Sequence, residues 1–406
     1  MKVAYLAPEL PALSATFVYN EIIELEKLGT QIVPFSVHCP TGFFKDKSVN
    51  RLKQRVETLY GCKVSRTISS HIRLIRKVPK QYFCTLLQLM SDMIQLGFKR
   101  NAAGLAYRFV YAGVFADALL RHRCQHIHVH FAHIPTDIAM YASKMSNIGF
   151  SVTSHANDLF ERGWLLKEKV ERSCFFGTIS EFNQRFLGEQ GVNMDKVKVI
   201  RCGVDLTQFK TRRWRVLNQP VQVGVLGRLV EKKGIDVLIR SVALLKDDEI
   251  DISLTIAGNG PLESELRALV TTLDLDEQVI FLGALPHNEV SEYIKSLDVF
   301  ALPCKRDSYG DMDGIPVVLM EAMLAGVPVI STRISGIPEL IVDGETGLCI
   351  QASDENALAN AIDKIIAEQN DTKQMVKQAV FWVKESFSLA GNAGQLNNFI
   401  AKCCKS

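Results

Sequence analysis

The chain has 406 residues, more than one domain of ordinary size contains, so at least two hydrophobic cores are expected. Hydrophobic residues make up 47% and charged residues 22%, values that exclude a disordered, collagen-like or disulfide-scaffold protein. The formal net charge is +3, but residues 1–205 hold 27 Lys and Arg against 17 Asp and Glu, whereas residues 206–406 hold 20 against 27. A basic half followed by an acidic half predicts two domains with different partners.

Cysteines and apolar runs indicate the cellular compartment. The ten cysteines include no Cys-x-x-Cys pair, which argues against a zinc ribbon or a thioredoxin-type centre. Free thiols at this frequency suit a reducing cytoplasm. The opening MKVAYLAPEL predicts a strand rather than an export signal, and no run of about 18 apolar residues predicts a membrane-spanning helix. We therefore expect a cytoplasmic protein.

Short apolar runs alternate with helical patterns in the first half of the chain. Strands are predicted at residues 3–6, 31–35, 127–131, 150–153, 176–179 and 197–200. Helices are predicted at residues 16–28, 78–121, 136–145 and 181–190.

Residues 45–80 are basic and amphipathic. Only Asp46 and Glu57 oppose the cations there, and apolar residues such as Ile72 and Ile75 are interleaved with them. Attachment to anionic lipid head groups is one interpretation; a solvated helical face or contact with a polyanion is the other. No aromatic ladder or helix-turn-helix pattern supports nucleic-acid binding. The cations are Lys45, Lys47, Arg51, Lys53, Arg55, Lys63, Arg66, Arg73, Arg76, Lys77 and Lys80.

The second half repeats the alternation of strands and helices. Strands are predicted at residues 221–226, 252–257 and 279–282, and helices at 235–245 and 262–273. Further segments at 290–296, 299–301, 317–325, 327–331 and 357–368 continue the same pattern.

This alternation predicts an α/β protein with two Rossmann-like, doubly wound parallel sheets facing each other across a cleft. The domains are expected at residues 1–205 and 206–386, with a C-terminal helix at about 387–406 packing back on the first. Ligand-binding loops should follow the carboxyl ends of the strands. Those loops contain no G-x-G-x-x-G, Walker A or G-x-S-x-G sequence, which disfavours a dehydrogenase, a P-loop kinase and a serine hydrolase.

Two loops of the second half carry anion-binding residues. The loop GRLVEKKG, residues 227–234, brings Arg228 and Lys233 from a strand end to a helix start, an arrangement suited to phosphates. Residues 311–339, DMDGIPVVLMEAMLAGVPVISTRISGIPE, place Asp313 and Glu321 on either side of a Gly-Ile-Pro turn. Backbone N–H groups at that helix start can bind oxygens, and Glu321 can accept two hydrogen bonds from a vicinal diol such as a ribose.

Histidines form a second group of candidates. His126, His128 and His130 alternate along a predicted strand and share one face. Three such side chains could bind zinc, but packing within the sheet is favoured. His130 and His133 lie nearest the carboxyl end of the strand and could reach an acceptor. His155 follows the next strand in the segment TSHANDLF, and a functional role is favoured for it.

In combination these motifs resemble the retaining nucleotide-sugar glycosyltransferases of family four, which have the two-domain GT-B architecture. The matching pieces are the GRL-x-x-K-K-G loop, the acidic-x7-Glu motif and the SGIPE turn. Runs like DMDGIPVVLMEAM and HIHVHFAH resemble most closely the bacterial exopolysaccharide branch of colanic-acid type. The resemblance is dense over residues 220–345 and thinner over 1–35 and 125–160.

The resemblance implies roles for individual residues. Catalysis would involve His155, Arg228, Lys233 and Asp313. The acceptor side would include Ser14, Thr16, Phe17, His130 and His133. Ser14, Thr16 and Phe17 stand where many members have a glycine-rich loop after the first strand. The family's usual first acid is Glu, so Asp313 leaves donor choice open. The donor would be bound by Gly227, Arg228, Lys233, Leu285 near the nucleobase, Asp313, Gly314, Ile315, Pro316, Val317 and Glu321.

The implied activity is retaining transfer of a hexose from a nucleotide sugar, with UDP-glucose or another UDP-hexose expected, to a growing, lipid-linked exopolysaccharide oligosaccharide. No carboxylate stands out as a covalent nucleophile, so retention without a covalent intermediate is expected. Metal independence is favoured because Arg228 and Lys233 supply positive charge, although Asp311 and Asp313 leave Mg²⁺ or Mn²⁺ as an alternative. A nucleotide-sugar epimerase and a non-catalytic nucleotide-sugar sensor are the competing functions.

Overall fold

The computed structural model describes residues 1–12, 15–42, 46–97, 100–160 and 163–404, without the side chains of Arg100 and His287. The chain divides into two compact units. Unit 1 comprises Met1–Arg201 and Ala390–Ser406, and unit 2 comprises Cys202–Leu389.

The strands of the described residues, in chain order, are β1 Lys2–Glu9, β2 Gln31–His38, β3 Glu57–Thr58, β4 His126–His130, β5 Phe150–Ser154, β6 Phe176–Thr178, β7 Val197–Val199, β8 Val221–Leu226, β9 Ile252–Ala257, β10 Val279–Gly283, β11 Val299–Leu302, β12 Val329–Thr332 and β13 Leu348–Ile350.

The α-helices are α1 Thr16–Lys27, α2 Lys47–Arg55, α3 Val64–Lys77, α4 Pro79–Gln95, α5 Arg100–His122, α6 Ile134–Ser146, α7 Asn157–Phe160, α8 Leu166–Arg172, α9 Glu181–Glu189, α10 Ile235–Asp247, α11 Glu263–Thr272, α12 His287–Ser296, α13 Val317–Ala325, α14 Ile337–Leu340, α15 Glu355–Ala367, α16 Gln369–Ser386 and α17 Leu389–Cys403. Short 3₁₀ turns occur at Met194–Lys196 and Glu231–Lys233.

Each unit contains one parallel sheet. Within the described residues the order in unit 1 is β3-β2-β1-β4-β5-β6-β7, and in unit 2 it is β10-β9-β8-β11-β12-β13. Strands β4 and β5 are wholly buried and β1 is buried except at its ends, as expected for strands covered on both faces by helices. The predicted pair of doubly wound α/β units is therefore confirmed.

The first boundary between the units falls before the predicted one, which was set after residue 205. A Cβ on Gly203 would stand 2.5 Å from the backbone nitrogen of Leu389, so the two backbones are in direct contact. The amide of Val204 donates to the carbonyl of Phe387 at 2.9 Å. These contacts hold the start of the connecting segment in unit 2.

The C-terminal helix was predicted at about residues 387–406. It begins at Leu389 as α17 and groups with unit 1 from Ala390 onward. The rings of Phe399 and Phe175 pack with their centroids 5.5 Å apart. Apolar contacts thus attach the end of the chain to the N-terminal sheet.

The long helix predicted at residues 78–121 is two helices. Helix α4 ends at Gln95, and Gly97 just beyond has a φ of +67°, a left-handed conformation that stops a helix. Helix α5 then begins at Arg100. The prediction was wrong because it ignored this glycine as a stop signal.

Helix α5 also contains a segment that the sequence did not lead us to expect. By length and composition, Asn101–His122 is apolar enough to cross a membrane, and more than half of its most apolar stretch is buried inside the structure. Core helices have the same length and composition. Leu105, Phe109 and Phe115 belong to the hydrophobic core of unit 1.

Candidate functional site

The predicted phosphate loop lies at the switch point of the unit 2 sheet. The strand order reverses between β8 and β11, and doubly wound sheets bind ligands beyond the carboxyl ends of strands at such a point. Residues 227–234 follow β8 and residues 303–316 follow β11. The fold therefore brings the two predicted motifs of unit 2 to one edge of the sheet.

Glycines allow the backbone of this loop to contact directly the backbones of the segments that follow β9 and β11. A Cβ on Gly258 would stand 1.8 Å from the carbonyl oxygen of Gly227, and one on Gly260 would stand 2.4 Å from that of Leu229. At the other end, Gly234 is left-handed and a Cβ there would stand 1.9 Å from the carbonyl oxygen of Pro303. The sequence analysis missed Gly258 and Gly260, although the AGNGP run after β9 was the available signal.

The cations of the loop differ in their partners. Arg228 is exposed and, within the part of the chain that is described, makes no ion pair or side-chain hydrogen bond. Lys233 Nζ lies 2.7 Å from Asp313 Oδ2. Lys232 Nζ lies 2.8 Å from Asp311 Oδ2 and 3.4 Å from Asp313 Oδ1. Arg228 is therefore the cation that is free to meet an incoming anion.

Electrostatics keep this cluster charged at neutral pH. Burial raises the pKa of Asp313, but Lys233 and Lys232 outweigh that effect and hold the pKa below its usual value. Burial lowers the pKa of Lys233, whereas Asp313 raises it, and the net shift is upward. Lys232 and Lys233 neutralise the carboxylates of Asp311 and Asp313, so the positive charge of the Arg228 guanidinium remains for a phosphate.

The carboxylates of Asp311 and Asp313 are occupied by lysines. Among the described residues, the group of side chains close enough together to hold a metal is Glu21, His128 and His130 in unit 1. The Asp311–Asp313 pair is thus ion-paired, and Lys232 contacts both of its members.

Backbone donors are available at the start of α13. Pro316 caps the helix, and its carbonyl accepts from the amide of Leu319 at 3.1 Å. The amides of Gly314, Ile315 and Val317 have no acceptor within the described residues. A helix start with unused N–H groups attracts anionic and hydroxyl oxygens. The predicted donor-binding turn therefore has the hydrogen-bonding capacity that its role requires.

Glu321 lies on α13, one turn beyond those amides. The residue as a whole is partly exposed, and no ion pair or hydrogen bond to its carboxyl group occurs in the part of the chain that is described. Burial raises its pKa to about 7. An unpaired carboxyl group of this kind costs stability unless a ligand satisfies it.

Replacing Glu321 by Gln is expected to stabilise the unliganded protein at high pH. Between the unfolded pKa of 4.5 and the folded pKa of about 7, the unfolded chain releases a proton that the folded chain retains, so stability falls as pH rises. The loss approaches about 3 kcal/mol above pH 7. Denaturant unfolding of both proteins is measured at pH 4 and pH 8. The free energies of unfolding should agree at pH 4, and that of Glu321→Gln should be higher at pH 8. Equal stability at both pH values would contradict this.

The predicted nucleobase turn follows β10. Leu285 is partly buried and packs against the core of unit 2. The carbonyl of Gly283 accepts from the amide of Gly258 at 2.7 Å, which ties this turn to the phosphate loop. Leu285 thus lies on a turn that is hydrogen-bonded to Gly258, the residue that contacts the backbone of the phosphate loop.

In unit 1 the switch point lies between β1 and β4 and contains a buried polar cluster. His130 ends β4, and its Nε2 lies 2.9 Å from Glu21 Oε1 and 2.6 Å from the hydroxyl of Tyr5. Tyr5 also bonds to Glu21. Nδ1 of His130 lies 3.0 Å from Nε2 of His155, which follows β5. We call these four side chains the switch-point cluster.

The predicted acceptor-side residues occupy different environments. His130 is only 1% exposed and lies inside the switch-point cluster, so it does not reach outward as expected. His133 is partly exposed and stacks on Phe131. Thr16 begins α1, and the Phe17 ring lies 4.7 Å from that of His155. The predicted residue Ser14 lies outside the described residues.

The remaining histidines of β4 are packing residues, as the sequence analysis favoured. Nε2 of His126 and Nδ1 of His128 lie 2.8 and 2.9 Å from the hydroxyl of Ser151. Burial lowers the pKa of His126 to about 4 and that of His128 well below its usual value. Both are therefore neutral and bonded across the sheet to β5.

Sequence reasoning missed the residues that hold His155. Its amide donates to Asp158 Oδ1 at 2.9 Å, and its carbonyl accepts from Asn183 Nδ2 at 2.7 Å. Glu21 and Tyr5 were missed as well, because they come from other elements and no local motif marks them. For Asp158 a signal existed: an acid three residues after His155, at the start of a helix, is a typical capping pattern.

Residues 208–380 match the family described as "Glycosyl transferases group 1". AmsK of Erwinia amylovora, an amylovoran biosynthesis glycosyltransferase, is 27% identical over 96% of both chains. WcaL of Escherichia coli, a glycosyltransferase named for colanic acid biosynthesis, has the same identity and coverage. The predicted relationship to the exopolysaccharide branch is confirmed.

The fold has counterparts among solved structures. HepE of Anabaena, crystallised with UDP-glucose, superposes with a TM-score of 0.73 at 17% identity, covering 99% of this chain and all of that one. At this identity the likeness establishes the two-unit GT-B fold alone. Residues 208–380, which include Arg228 and the helix-start amides that have no partner among the described residues, thus match the glycosyltransferase group 1 family, and the chain has the GT-B fold.

Proposed function

We propose that the protein transfers a hexose, with retention, from UDP-glucose or another UDP-hexose to a growing, lipid-linked exopolysaccharide oligosaccharide. The observation that carries this is the unpaired Arg228 at the unit 2 switch point, beside a helix start with unused amides. AmsK and WcaL, named for polysaccharide biosynthesis, support the pathway class, and the UDP-glucose held by HepE supports the donor class.

In this proposal unit 2 binds the donor. Arg228 and Lys233 stabilise the departing diphosphate, together with the amides of the α13 start, an electrostatic contribution that is usually the largest in catalysis. Glu321 accepts hydrogen bonds from the ribose hydroxyls, which also relieves its unfavourable burial. Asp313 orients Lys233 through their ion pair and turns its remaining acceptor capacity toward the sugar hydroxyls.

Unit 1 contributes the acceptor side and His155. The partly exposed ring of Phe17 packs against His155, and that of His133 stacks on Phe131, which also contacts His155; both rings are available for contact with a sugar. Retention without a covalent intermediate is proposed, since no carboxylate stands out as a nucleophile. Metal independence is proposed because the Asp311 and Asp313 carboxylates are engaged by lysines.

A donor screen tests the proposal. The purified protein is incubated with UDP-glucose, other UDP-hexoses and GDP-mannose, with and without a lipid-linked oligosaccharide, and release of nucleoside diphosphate and the product's anomeric configuration are measured. Acceptor-dependent UDP release that survives EDTA is expected. Interconversion of donor sugars without release would identify an epimerase, and binding without turnover a sensor. Activity lost in EDTA and restored by Mg²⁺ or Mn²⁺ would make Asp311 and Asp313 metal ligands.

Docking of unit 1 on the inner face of the plasma membrane is part of the same proposal. Helices α3 and α4 expose apolar side chains at helical spacing, which is unusual for surface helices. Arg76, Lys77 and Lys80 lie at the junction of the two helices and have no ion pair among the described residues. Cations around apolar stripes fit anionic lipid. The exposed side chains are Val64, Ile68, Ile72 and Ile75 of α3 and Phe83, Leu87, Met90 and Ile94 of α4.

The charge reversal Arg76→Glu, Lys77→Glu and Lys80→Glu is expected to abolish sedimentation with anionic vesicles at low salt. Each juxtamembrane cation contributes about 1 kcal/mol, an attraction that salt screens. Arg73 is kept because its guanidinium holds the buried Asp117 at 2.6 Å. Turnover on a soluble acceptor should persist. A wild-type protein that stays in the supernatant would identify α3 and α4 as solvated.

A further inference from the structure

The switch-point cluster is a chain of hydrogen bonds that ends at His155. It begins at Glu21 on α1, passes through His130 at the end of β4, and reaches His155 after β5, with Tyr5 of β1 bonded to the first two members. All four elements meet at the topological switch point of unit 1, where such sheets bind ligands.

The geometry constrains where protons lie. A carboxylate only accepts, so Nε2 of His130, 2.9 Å from Glu21 Oε1, carries a hydrogen. Nδ1 of His130 and Nε2 of His155 then share one hydrogen across 3.0 Å. When His130 is neutral, His155 donates to it and its own Nδ1 is an acceptor. When His130 is an imidazolium, it donates to His155, whose Nδ1 then carries a hydrogen.

We infer that Glu21 and His130 are positioning residues that set whether Nδ1 of His155 accepts or donates a hydrogen bond to a sugar hydroxyl. The inference rests on the proposed function, in which His155 contacts a sugar. In a catalytic triad, a buried acid orients one imidazole by a hydrogen bond. Here Glu21 orients His130 in the same way, and His130 is in turn hydrogen-bonded to a second imidazole, that of His155. Because Glu21 opposes the charge of an imidazolium at His130, a proton arriving at His155 Nδ1 can be balanced by transfer of the Nε2 hydrogen to His130.

Burial supports this division of roles. It lowers the pKa of His155 well below the usual value, with His130 and His133 acting in the same direction, so His155 does not hold a positive charge by itself. Among the described residues, the rings of Phe17, Phe131 and His130 pack against it. The carboxylate that can compensate a charge in the described cluster is Glu21, one imidazole away.

A metal centre is the competing interpretation, since Glu21, His128 and His130 lie close enough together to hold an ion. The nitrogens of His128 are, however, engaged elsewhere: Nδ1 lies 2.9 Å from Ser151 Oγ and Nε2 3.2 Å from Thr153 Oγ1. Those of His130 contact Glu21, Tyr5 and His155. The cluster is thus satisfied by hydrogen bonds among its own members.

The test replaces Glu21 by Gln in the full chain and compares it with Glu24→Gln, a change at a partly exposed glutamate of the same helix that pairs with Lys27. Glu21→Gln should lower kcat roughly 10²-fold, a value typical of an oriented acid–base group, with the donor KM unchanged. Glu21→Asp should recover part of the loss. Glu24→Gln should match the wild type.

Nitrogen NMR of ¹⁵N-histidine-labelled protein gives a readout that needs no substrate. His130 should occupy the single Nε2–H form in the wild type and in Glu24→Gln, and a mixture of tautomers in Glu21→Gln. Unchanged tautomers and unchanged kcat in Glu21→Gln would overturn the inference. Stoichiometric zinc in the purified protein, lost in Glu21→Gln, would overturn it in favour of a metal centre. Absence of transferase activity with every donor would refute the proposed function, while the NMR result would still decide the role of Glu21.

Discussion

Replacing Arg228 by Ala should lower turnover roughly 10- to 150-fold and leave the melting temperature unchanged. The guanidinium is exposed and has no partner among the described residues, so its removal unbalances nothing in the folded protein. A charge-assisted contact to a diphosphate contributes ~1.5–3 kcal/mol, which gives that range if it is felt in the transition state. Arg240→Ala, which removes an exposed arginine of α10, is the matched control. Wild-type turnover in Arg228→Ala would show that this residue does not bind the phosphates of the donor.

Lys233→Ala should lower stability as well as turnover, in contrast to Arg228→Ala. Its ammonium group neutralises Asp313, and removing it leaves a largely buried carboxylate whose remaining cationic partner among the described residues is Lys232. We expect a loss of about 1–3 kcal/mol of unfolding free energy in addition to the loss of turnover. The double variant with Asp313→Asn should recover stability without recovering turnover. Denaturant melts beside steady-state assays separate the two effects.

Gly258→Ala should disrupt unit 2 and abolish nucleotide binding. Its φ is +133°, which strains any residue with a side chain by about 1–3 kcal/mol. The new Cβ would also stand 1.8 Å from the carbonyl oxygen of Gly227, so the backbone of the phosphate loop must move. Calorimetric titration with UDP and thermal melts measure both consequences.

Gly344→Ala is the matched control for backbone strain. Gly344 has a φ of +75° in the same unit, but a Cβ there would have no atom within 4 Å. This variant should lose about 1 kcal/mol and bind UDP normally. If Gly258→Ala lost no more stability and UDP affinity than Gly344→Ala, close contact between the two loops would not explain why glycine occupies position 258.

The fold of unit 2 was predictable in detail because its signals are local. Strands Val221–Leu226 and Ile252–Ala257 and helix Val317–Ala325 have the predicted bounds. Each is a short apolar run or a helical pattern with a glycine or proline at its end, so propensity, burial and turn chemistry agree. The two-residue strand β3 and the short strand β13 were missed, since so few residues produce no periodic pattern.

In unit 1 the basic stretch was only partly what its composition suggested. Three of its arginines form ion pairs: Arg55 with Glu26, Arg66 with Glu57 and Arg73 with Asp117. Two of these acids lie outside the stretch, so counting charges within a window could not reveal the pairing. The exposed apolar residues of α4 extend the surface beyond the predicted range, because α4 packs beside α3 rather than continuing into α5.

By itself the sequence determined the fold class, the order of strands and helices, and the residue types of the phosphate loop, because these depend on short-range periodicity and on motifs of contiguous residues. Only the tertiary structure decided how those groups are paired. Lys233 contacts Asp313, and Glu21 contacts His130, across long separations in sequence. The strand order of each sheet places the elements that carry these residues beside one another at its switch point. Electrostatic balance depends on distances in space, and no spacing along the chain encodes which carboxylate a lysine or histidine will face.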